Sequence, residues 1–158
     1  MAAGLLTFNR NAATLESAAG EYSSCMNTAP AVKGLVPFAH VADPARSIDF
    51  YRRLGFIPAN VWDYRGDLAG AFLVSGNARL LISLATAPIN PDEQAILLYL
   101  YTDDVGTLRE QLVAGGIQVS EVQHPSHMPA GEIVLHDPDG YCLLVGRPAH
   151  DPGDGGTC

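Results

Sequence analysis

The chain has 158 residues, a mass of 16.7 kDa, 47% apolar residues and a net charge of −8 at pH 7. A chain of this length folds as one domain or as two very small ones, and its core needs no metal or disulfide support. The negative charge argues against nucleic acids and anionic membranes as partners, because such partners bind cationic surfaces that displace their counterions.

The three cysteines, Cys25, Cys142 and Cys158, have no metal-ligand spacing. An odd number of scattered cysteines is typical of free thiols in a reducing compartment. No apolar run approaches the ~18 residues of a membrane span, and the N-terminus lacks the pattern of a signal peptide. We therefore expect a cytoplasmic protein with no membrane partner.

The first half of the chain predicts a strand, a helix and three more strands. Residues 1–32 are rich in small and polar residues without a clear period, so we expect a poorly ordered N-terminal extension. A strand follows at residues 35–41. Asp43 then caps a helix that has proline at its first position and ends at Gly55. Strands are expected at residues 56–64, 68–74 and 78–84, with turns between them.

The second half repeats this order after a linker at residues 87–93. A strand at residues 96–101 precedes a helix that Asp104 caps and that ends at Gly115 and Gly116. Further strands are expected at about residues 118–122, 132–136 and 141–145. The last two are joined by an Asp-Pro-Asp-Gly turn at residues 137–140.

The two halves form an internal repeat. Twelve positions separate Asp43 from Gly55, and the same number separate Asp104 from Gly116, which gives an offset of 61 residues. We therefore expect a first βαβββ module at residues 33–86, a second at residues 94–148, and a C-terminal tail at residues 149–158.

Three motifs resemble the vicinal oxygen chelate superfamily, which includes glyoxalase I, bleomycin-resistance proteins, fosfomycin-resistance enzymes and extradiol dioxygenases. They are the run from His40 to Phe56 (HVADPARSIDFYRRLGF), Tyr101-Thr-Asp-Asp104 and Asp137-Pro-Asp-Gly-Tyr141. The resemblance implies an α+β fold in which paired βαβββ modules form a cupped, partly open mixed sheet. It also implies that a homodimer commonly completes the cup.

The resemblance further implies where a metal would be held, and those positions carry hydrocarbon side chains. Catalytic members of the family place His, Glu or Gln at matching strand positions of the two modules. The corresponding positions here are Val36, Leu97, Leu144 and one of Leu80, Leu81 or Ile82. Because metal ions need imidazole, carboxylate or thiolate donors, we expect no metal and no cofactor. The pattern indicates the metal-free, bleomycin-resistance-like branch.

The residues expected to line the cup follow from strand alternation. If Val36 and Leu97 face inward, every second residue along the same strands does so too, and the only tryptophan is expected to find cover on that face. The predicted ligand-binding residues are Phe38, His40, Trp62, Tyr64, Leu97, Tyr99, Tyr101, Glu132, Cys142 and Leu144. Such a mixture of apolar walls and a few polar tips is typical of a small-molecule site.

Each of these assignments has a structural alternative. The aromatic residues are equally consistent with simple core packing, His40 with a residue at the rim, and Cys142 with an inert buried thiol. The segment from His124 to Glu132 contains a His-x-x-His pattern. It is consistent with a metal site, with a lid whose His127 or Glu132 touches the ligand, or with a solvated loop.

We therefore expect metal-independent binding or sequestration of an aromatic or amphipathic small molecule by a homodimer, with no catalytic residue. One alternative is a lyase, isomerase or oxygenase whose metal has unconventional ligands drawn from His40, His124, His127, Glu132 and His136. Another is a structural module whose cup is filled by its own side chains.

Overall fold

The computed structural model of the protein describes residues 32–148. The expected N-terminal extension, apart from Val32, and the expected C-terminal tail lie outside the described residues. Within the described part, no helix combines the length and the apolar content needed to cross a membrane.

Residues 32–148 form an α+β fold, as expected. In chain order the elements are β1 (Phe38–Val41), α1 (Pro44–Arg52), β2 (Ile57–Tyr64), β3 (Asp67–Ser75), β4 (Ala78–Leu84), a short 3-10 helix (Pro91–Glu93), β5 (Leu97–Tyr101), α2 (Val105–Ala114), β6 (Glu132–His136) and β7 (Cys142–Gly146).

Both helices begin at the predicted aspartates. The Asp43 carboxylate accepts hydrogen bonds from the N–H groups of Ala45 and Arg46, and the Asp104 carboxylate accepts one from Thr107. Each cap satisfies backbone donors that a first helical turn leaves unpaired, which contributes about 1 kcal/mol.

Both helices also end in the same way, which supports the internal repeat. Gly55 and Gly116 adopt the positive φ angles of +84° and +79° that favour glycine. The residue after each glycine donates its N–H to a carbonyl five positions earlier: Phe56 to Tyr51 and Ile117 to Leu112, each at 3.0 Å.

The strands form two mixed sheets with related topologies. The first has the order β1-β4-β3-β2 and the second the order β5-β7-β6. In each sheet, an edge strand that precedes the helix (β1 or β5) pairs in parallel with the last strand of the same half, while the remaining pairs are antiparallel. The crossover helix makes this parallel pairing possible.

The prediction of a strand at residues 118–122 is wrong. Only isolated bridges at Val119 and Gln123 join this segment to β6. Between them, the Ser120 N–H donates to the Val134 carbonyl at 3.0 Å, but the Val134 N–H donates to the Ser120 hydroxyl at 2.9 Å. Because a side chain replaces the backbone acceptor, the ladder is interrupted and the second sheet has three strands.

One face of each sheet is buried in a core that the two halves share. This core contains alternate residues of both sheets and the apolar faces of both helices: Ala39, Val41, Ile48, Phe50, Tyr51, Phe56, Ala71, Leu73, Leu80, Ile82, Val105, Leu112, Ile133, Leu135, Tyr141, Leu143 and Val145. Since the inner faces of both sheets meet this core, their other faces, called here the open faces, point away from it.

The Asp-Pro-Asp-Gly turn of the second half is attached to the start of α1. The nearly inaccessible carboxylate of Asp139 accepts hydrogen bonds from the Ala42 N–H at 3.1 Å and the Ser47 hydroxyl at 3.3 Å. It also accepts one from the Arg46 guanidinium at 3.1 Å. The turn is therefore attached to the start of the first helix and holds the two halves together.

Candidate ligand-binding site

The open face of the first sheet is apolar and aromatic around a few polar groups. Phe38 and His40 lie on it from the edge strand β1, with ring centroids 5.1 Å apart. Strand register places Leu81 beside Phe38 and Ser83 beside His40 on the same face. Phe38 is 52% exposed, so this face is not filled by the chain's own side chains.

The Trp62 ring lies over Gly70 on this open face. It registers with Gly70, which in turn registers with Ser83. A Cβ atom on Gly70 would lie 2.2 Å from the Trp62 ring and 2.5 Å from the Ile82 carbonyl oxygen. The absence of a side chain at Gly70 thus makes room for the indole. Gly70 was not predicted as a site residue, although a glycine inside a strand is a signal of such close approach.

The open face of the second sheet carries the other predicted aromatic residues. Leu97 registers with Cys142, and Tyr99 registers with Leu144. The ring centroids of Tyr99 and Tyr101 are 5.4 Å apart at an interplanar angle of 40°. The Cys142 thiol is unpaired and partly accessible.

A polar corner stands at one end of this second open face. The Tyr99 hydroxyl donates a hydrogen bond to Oε2 of Glu132, and the His127 Nε2 lies 3.4 Å from the same oxygen. Glu132 is only 8% exposed. Burial, together with the hydrogen bond to Glu132, raises the pKa of Tyr99 to about 12, so its hydroxyl stays a donor at neutral pH.

The loop before β6 covers this end of the face. Met128 is buried and packs against Gly146, where a Cβ atom would lie 2.9 Å from the methionine Cγ. His124 Nδ1 lies 3.0 Å from the Pro129 carbonyl oxygen, which ties the loop to itself. These contacts hold the loop over this end of the face, with the His127 side chain 63% exposed.

Tyr64 lies apart from the other predicted residues. A β-bulge between Trp62 and Asp63 shifts the register, so Tyr64 pairs with Asp67. Asp67 is two residues from the core-facing Ala69 in β3, so it lies on the same side of the sheet as Ala69 and not on the open face. Its ring is 64% exposed and stacks under the Arg65 guanidinium, 5.2 Å from the ring centroid.

The predicted site residues thus form two groups in a single chain. Phe38, His40 and Trp62 lie on the first open face, whereas Leu97, Tyr99, Tyr101, Glu132, Cys142 and Leu144 lie on the second. Within residues 32–148, no hydrogen bond or ring–ring contact joins the two groups.

A groove of about 1040 Å³ runs along the free edge of β5. Its walls include Tyr99 and Tyr101, the end of α1 at Arg53, and the β3–β4 turn at Asn77. The Arg53 guanidinium donates to the Gly115 carbonyl at 2.8 Å, so it stabilises the C-terminus of α2.

The positions at which the resemblance places metal ligands in catalytic members carry hydrocarbon side chains. Leu81 is the counterpart of Leu144, because it registers with Phe38 as Leu144 does with Tyr99, while its neighbours Leu80 and Ile82 are buried in the core. In residues 32–148, no group of three or more His, Cys, Asp or Glu side chains is arranged to hold a metal ion.

Comparison with known proteins agrees with this fold. The sequence profile described as Glyoxalase/Bleomycin resistance protein/Dioxygenase superfamily matches residues 36–144. The solved structure of the bleomycin resistance determinant encoded on the transposon Tn5 is 20% identical; the alignment covers 75% of this chain and 100% of that chain, with a TM-score of 0.60. The structure of SMU.1112c is 28% identical; the alignment covers 74% of this chain and 100% of that chain, with a TM-score of 0.61.

A bleomycin-binding protein from bleomycin-producing Streptomyces verticillus, solved with copper(II)-bleomycin, is 20% identical over 75% of this chain and 98% of that chain, with a TM-score of 0.57. No curated protein sequence matches the chain.

Proposed function

The chain belongs to the glyoxalase/bleomycin resistance protein/dioxygenase superfamily, and from that premise we propose that it binds and sequesters an aromatic or amphipathic small molecule without a metal ion. The observation that carries this proposal is the chemistry of the open faces. Aromatic rings are exposed on both faces. The side chains of Leu81, Leu97 and Leu144 have no donor atom for a metal ion, so an ion placed there would lose its hydration without gaining ligands.

The ligand-binding cup is formed by two copies of the chain. Exposed apolar residues cluster on and next to the edge strands of both sheets, including Phe38 on β1 and Ile96, Leu97 and Tyr101 at β5. Such a patch on a small protein marks an interface. A two-fold axis that sets β1 of one copy beside β5 of the other would place both open faces on one concave surface. The aromatic groups that a single chain separates would then meet.

The structural neighbours support the class of ligand. They include a bleomycin resistance determinant and a bleomycin-binding protein, both of which have this fold. By analogy, a large organic antibiotic is the type of molecule that the cup of this protein would sequester. The expectation of a cytoplasmic location stays a prediction.

The test combines oligomeric state with ligand binding. We expect a particle of about twice the chain mass of 16.7 kDa in light scattering. A panel of aromatic and amphipathic antibiotics that includes bleomycin should contain at least one member that quenches Trp62 fluorescence at one ligand per chain. If no member of the panel changes Trp62 fluorescence, the cup is filled by its own side chains and the proposal fails.

Metal analysis separates this proposal from the alternative of a lyase, isomerase or oxygenase. Protein purified without chelator should contain far less than one transition metal ion per chain, and a chelator should leave ligand binding unchanged. A stoichiometric metal that is lost on His127→Ala or His40→Ala substitution would favour the enzyme instead.

A further inference from the structure

The proposed function leaves open which chemical group the ligand presents to the second open face. The polar corner formed by Glu132, Tyr99 and His127 bears on that question. The residues that β5 and β7 contribute to this face are leucines, tyrosines, a cysteine and a glycine, and none of them is a carboxylate. Glu132 is therefore the carboxylate against which a bound molecule would be oriented.

The Glu132 carboxylate is poorly compensated. Among the contacts of residues 32–148 it has no Lys or Arg partner, and its one potentially cationic neighbour, His127, is charged only if protonated. All of its side-chain contacts in this part of the chain fall on Oε2. The second oxygen, Oε1, can therefore still accept a hydrogen bond. A cationic donor makes the strongest hydrogen bond to such a carboxylate oxygen.

The surroundings of this carboxylate also favour a cation. The rings of Tyr99 and Tyr101 lie beside each other on the same face, and aromatic faces attract ammonium and guanidinium groups. The chain as a whole carries a net charge of −8, which draws cationic molecules toward it from solution.

We propose that Glu132 is the cation-recognition residue of the cup, so that the preferred ligand is a planar aromatic or amphipathic molecule carrying a protonated amine or guanidinium. This inference rests on the proposed function, because it requires that the cup admits a ligand. The ammonium donates to Oε1 of Glu132 and lies against the tyrosine rings, while the apolar part of the molecule contacts Leu97, Leu144 and the facing sheet of the second copy.

The test uses two probes of nearly the same shape, 9-aminoacridine, which is cationic at neutral pH, and acridine, which is neutral. Both are titrated against the full-length protein. We expect the wild type to bind 9-aminoacridine about ten-fold more tightly than acridine, and Glu132→Gln to abolish this preference by weakening 9-aminoacridine alone. Glu110→Gln is the matched control, because Glu110 is exposed on α2 and its replacement changes the net charge equally.

A second variant guards against a general structural effect of Glu132→Gln. Tyr99→Phe keeps an aromatic ring and the carboxylate but removes the hydroxyl donor, so the preference for 9-aminoacridine should be retained or increased. Equal binding of both probes to the wild type, or a preference that survives Glu132→Gln, would overturn the inference and leave the proposed function intact. If neither probe binds at one per chain, while the antibiotics of the panel also leave Trp62 fluorescence unchanged, both proposals fail.

Discussion

The Tyr51 hydroxyl donates a buried hydrogen bond to Oδ2 of Asp137 at 3.0 Å, joining α1 to the Asp-Pro-Asp-Gly turn 86 residues later. Burial raises the pKa of the Tyr51 hydroxyl, and the charge of Asp137 raises it further. Burial also raises the pKa of Asp137, although N–H bonds from Tyr141 and Asp139 act in the opposite direction. This contact links the first half of the chain to the second.

Replacing Tyr51 with Phe should lower the free energy of unfolding by about 1–3 kcal/mol, because Oδ2 of a buried carboxylate loses its donor. Urea unfolding followed by circular dichroism measures the change. Tyr64→Phe is the matched control, since Tyr64 is 64% exposed, and it should stay within about 0.5 kcal/mol of wild type. Equal stability of the two variants would show that the Tyr51 hydrogen bond contributes nothing.

Asp139→Ala should destabilise the protein by about 2–4 kcal/mol, because it leaves the Ala42 N–H without an acceptor and removes the ion pair with Arg46, while the Ser47 hydroxyl keeps only its hydrogen bond to the Asp43 carbonyl. Asp103→Ala, at an exposed position beside the cap of α2, should have little effect. Thermal unfolding of both variants makes the comparison, and a similar midpoint for the two would contradict the stabilising role of the Asp139 contacts.

Gly70→Ala should destabilise the fold by about 1–3 kcal/mol, because the new methyl group would overlap the Trp62 ring and the Ile82 carbonyl. It should also shift the tryptophan emission spectrum by displacing the indole. Gly106→Ala in α2 is the control: its Cβ would have an ordinary contact of 3.5 Å, and helix propensity predicts a small gain in stability. An unchanged emission spectrum in folded Gly70→Ala protein would refute this account of the Trp62 position.

The alkaline titration of Tyr99 provides a pH test. Its pKa is raised from 10.0 to about 12 in the folded state, so the folded protein retains this proton when the unfolded chain has lost it. The stabilising contribution of Tyr99 is therefore complete below about pH 10 and is lost as the pH rises toward 12. In ultraviolet difference titration, Tyr99→Phe should remove the tyrosinate absorbance change near pH 12 and leave the absorbance change near pH 10 unaltered. If Tyr99→Phe instead removed absorbance change near pH 10, Tyr99 would have an ordinary pKa and this account would be wrong.

Phe38→Ala should weaken binding of acridine by about two-fold to ten-fold, because one aromatic stack contributes about 0.5–1.5 kcal/mol beyond the buried area. Since Phe38 is 52% exposed in a single chain, the stability of the isolated fold should change little. Val113→Ala, at a similarly exposed position on α2, controls for loss of apolar surface. Fluorescence titration measures both, and equal affinities would place the ligand elsewhere than on the first open face.

Local signals made the helices predictable. An aspartate cap followed by glycine at a positive φ angle defines each end within a few residues, and the cap and end bonds of the two helices follow the same pattern. Alternation also predicted which residues of β1 and β5 share a face, because both strands are free of bulges.

Features that depend on non-local pairing were not predictable. The bulge after Trp62 reverses the alternation on which the placement of Tyr64 rested. The Ser120 hydroxyl interrupts a strand whose composition is favourable. The contact between Tyr99 and Glu132 depends on the register of three strands from different parts of the second module, which no local pattern determines.

The attachment of Asp139 to the start of α1 has a consequence for how the protein matures on the ribosome. Asp139 follows Ser47 by 92 residues, so the start of the first helix lacks its final acceptor until nearly all of the described chain has been synthesised. Contacts of such sequence separation slow folding, because a long loop must close before they form. We expect nascent chains that end before this turn to expose the shared core and to depend on chaperones, although their first half already contains a complete βαβββ sequence.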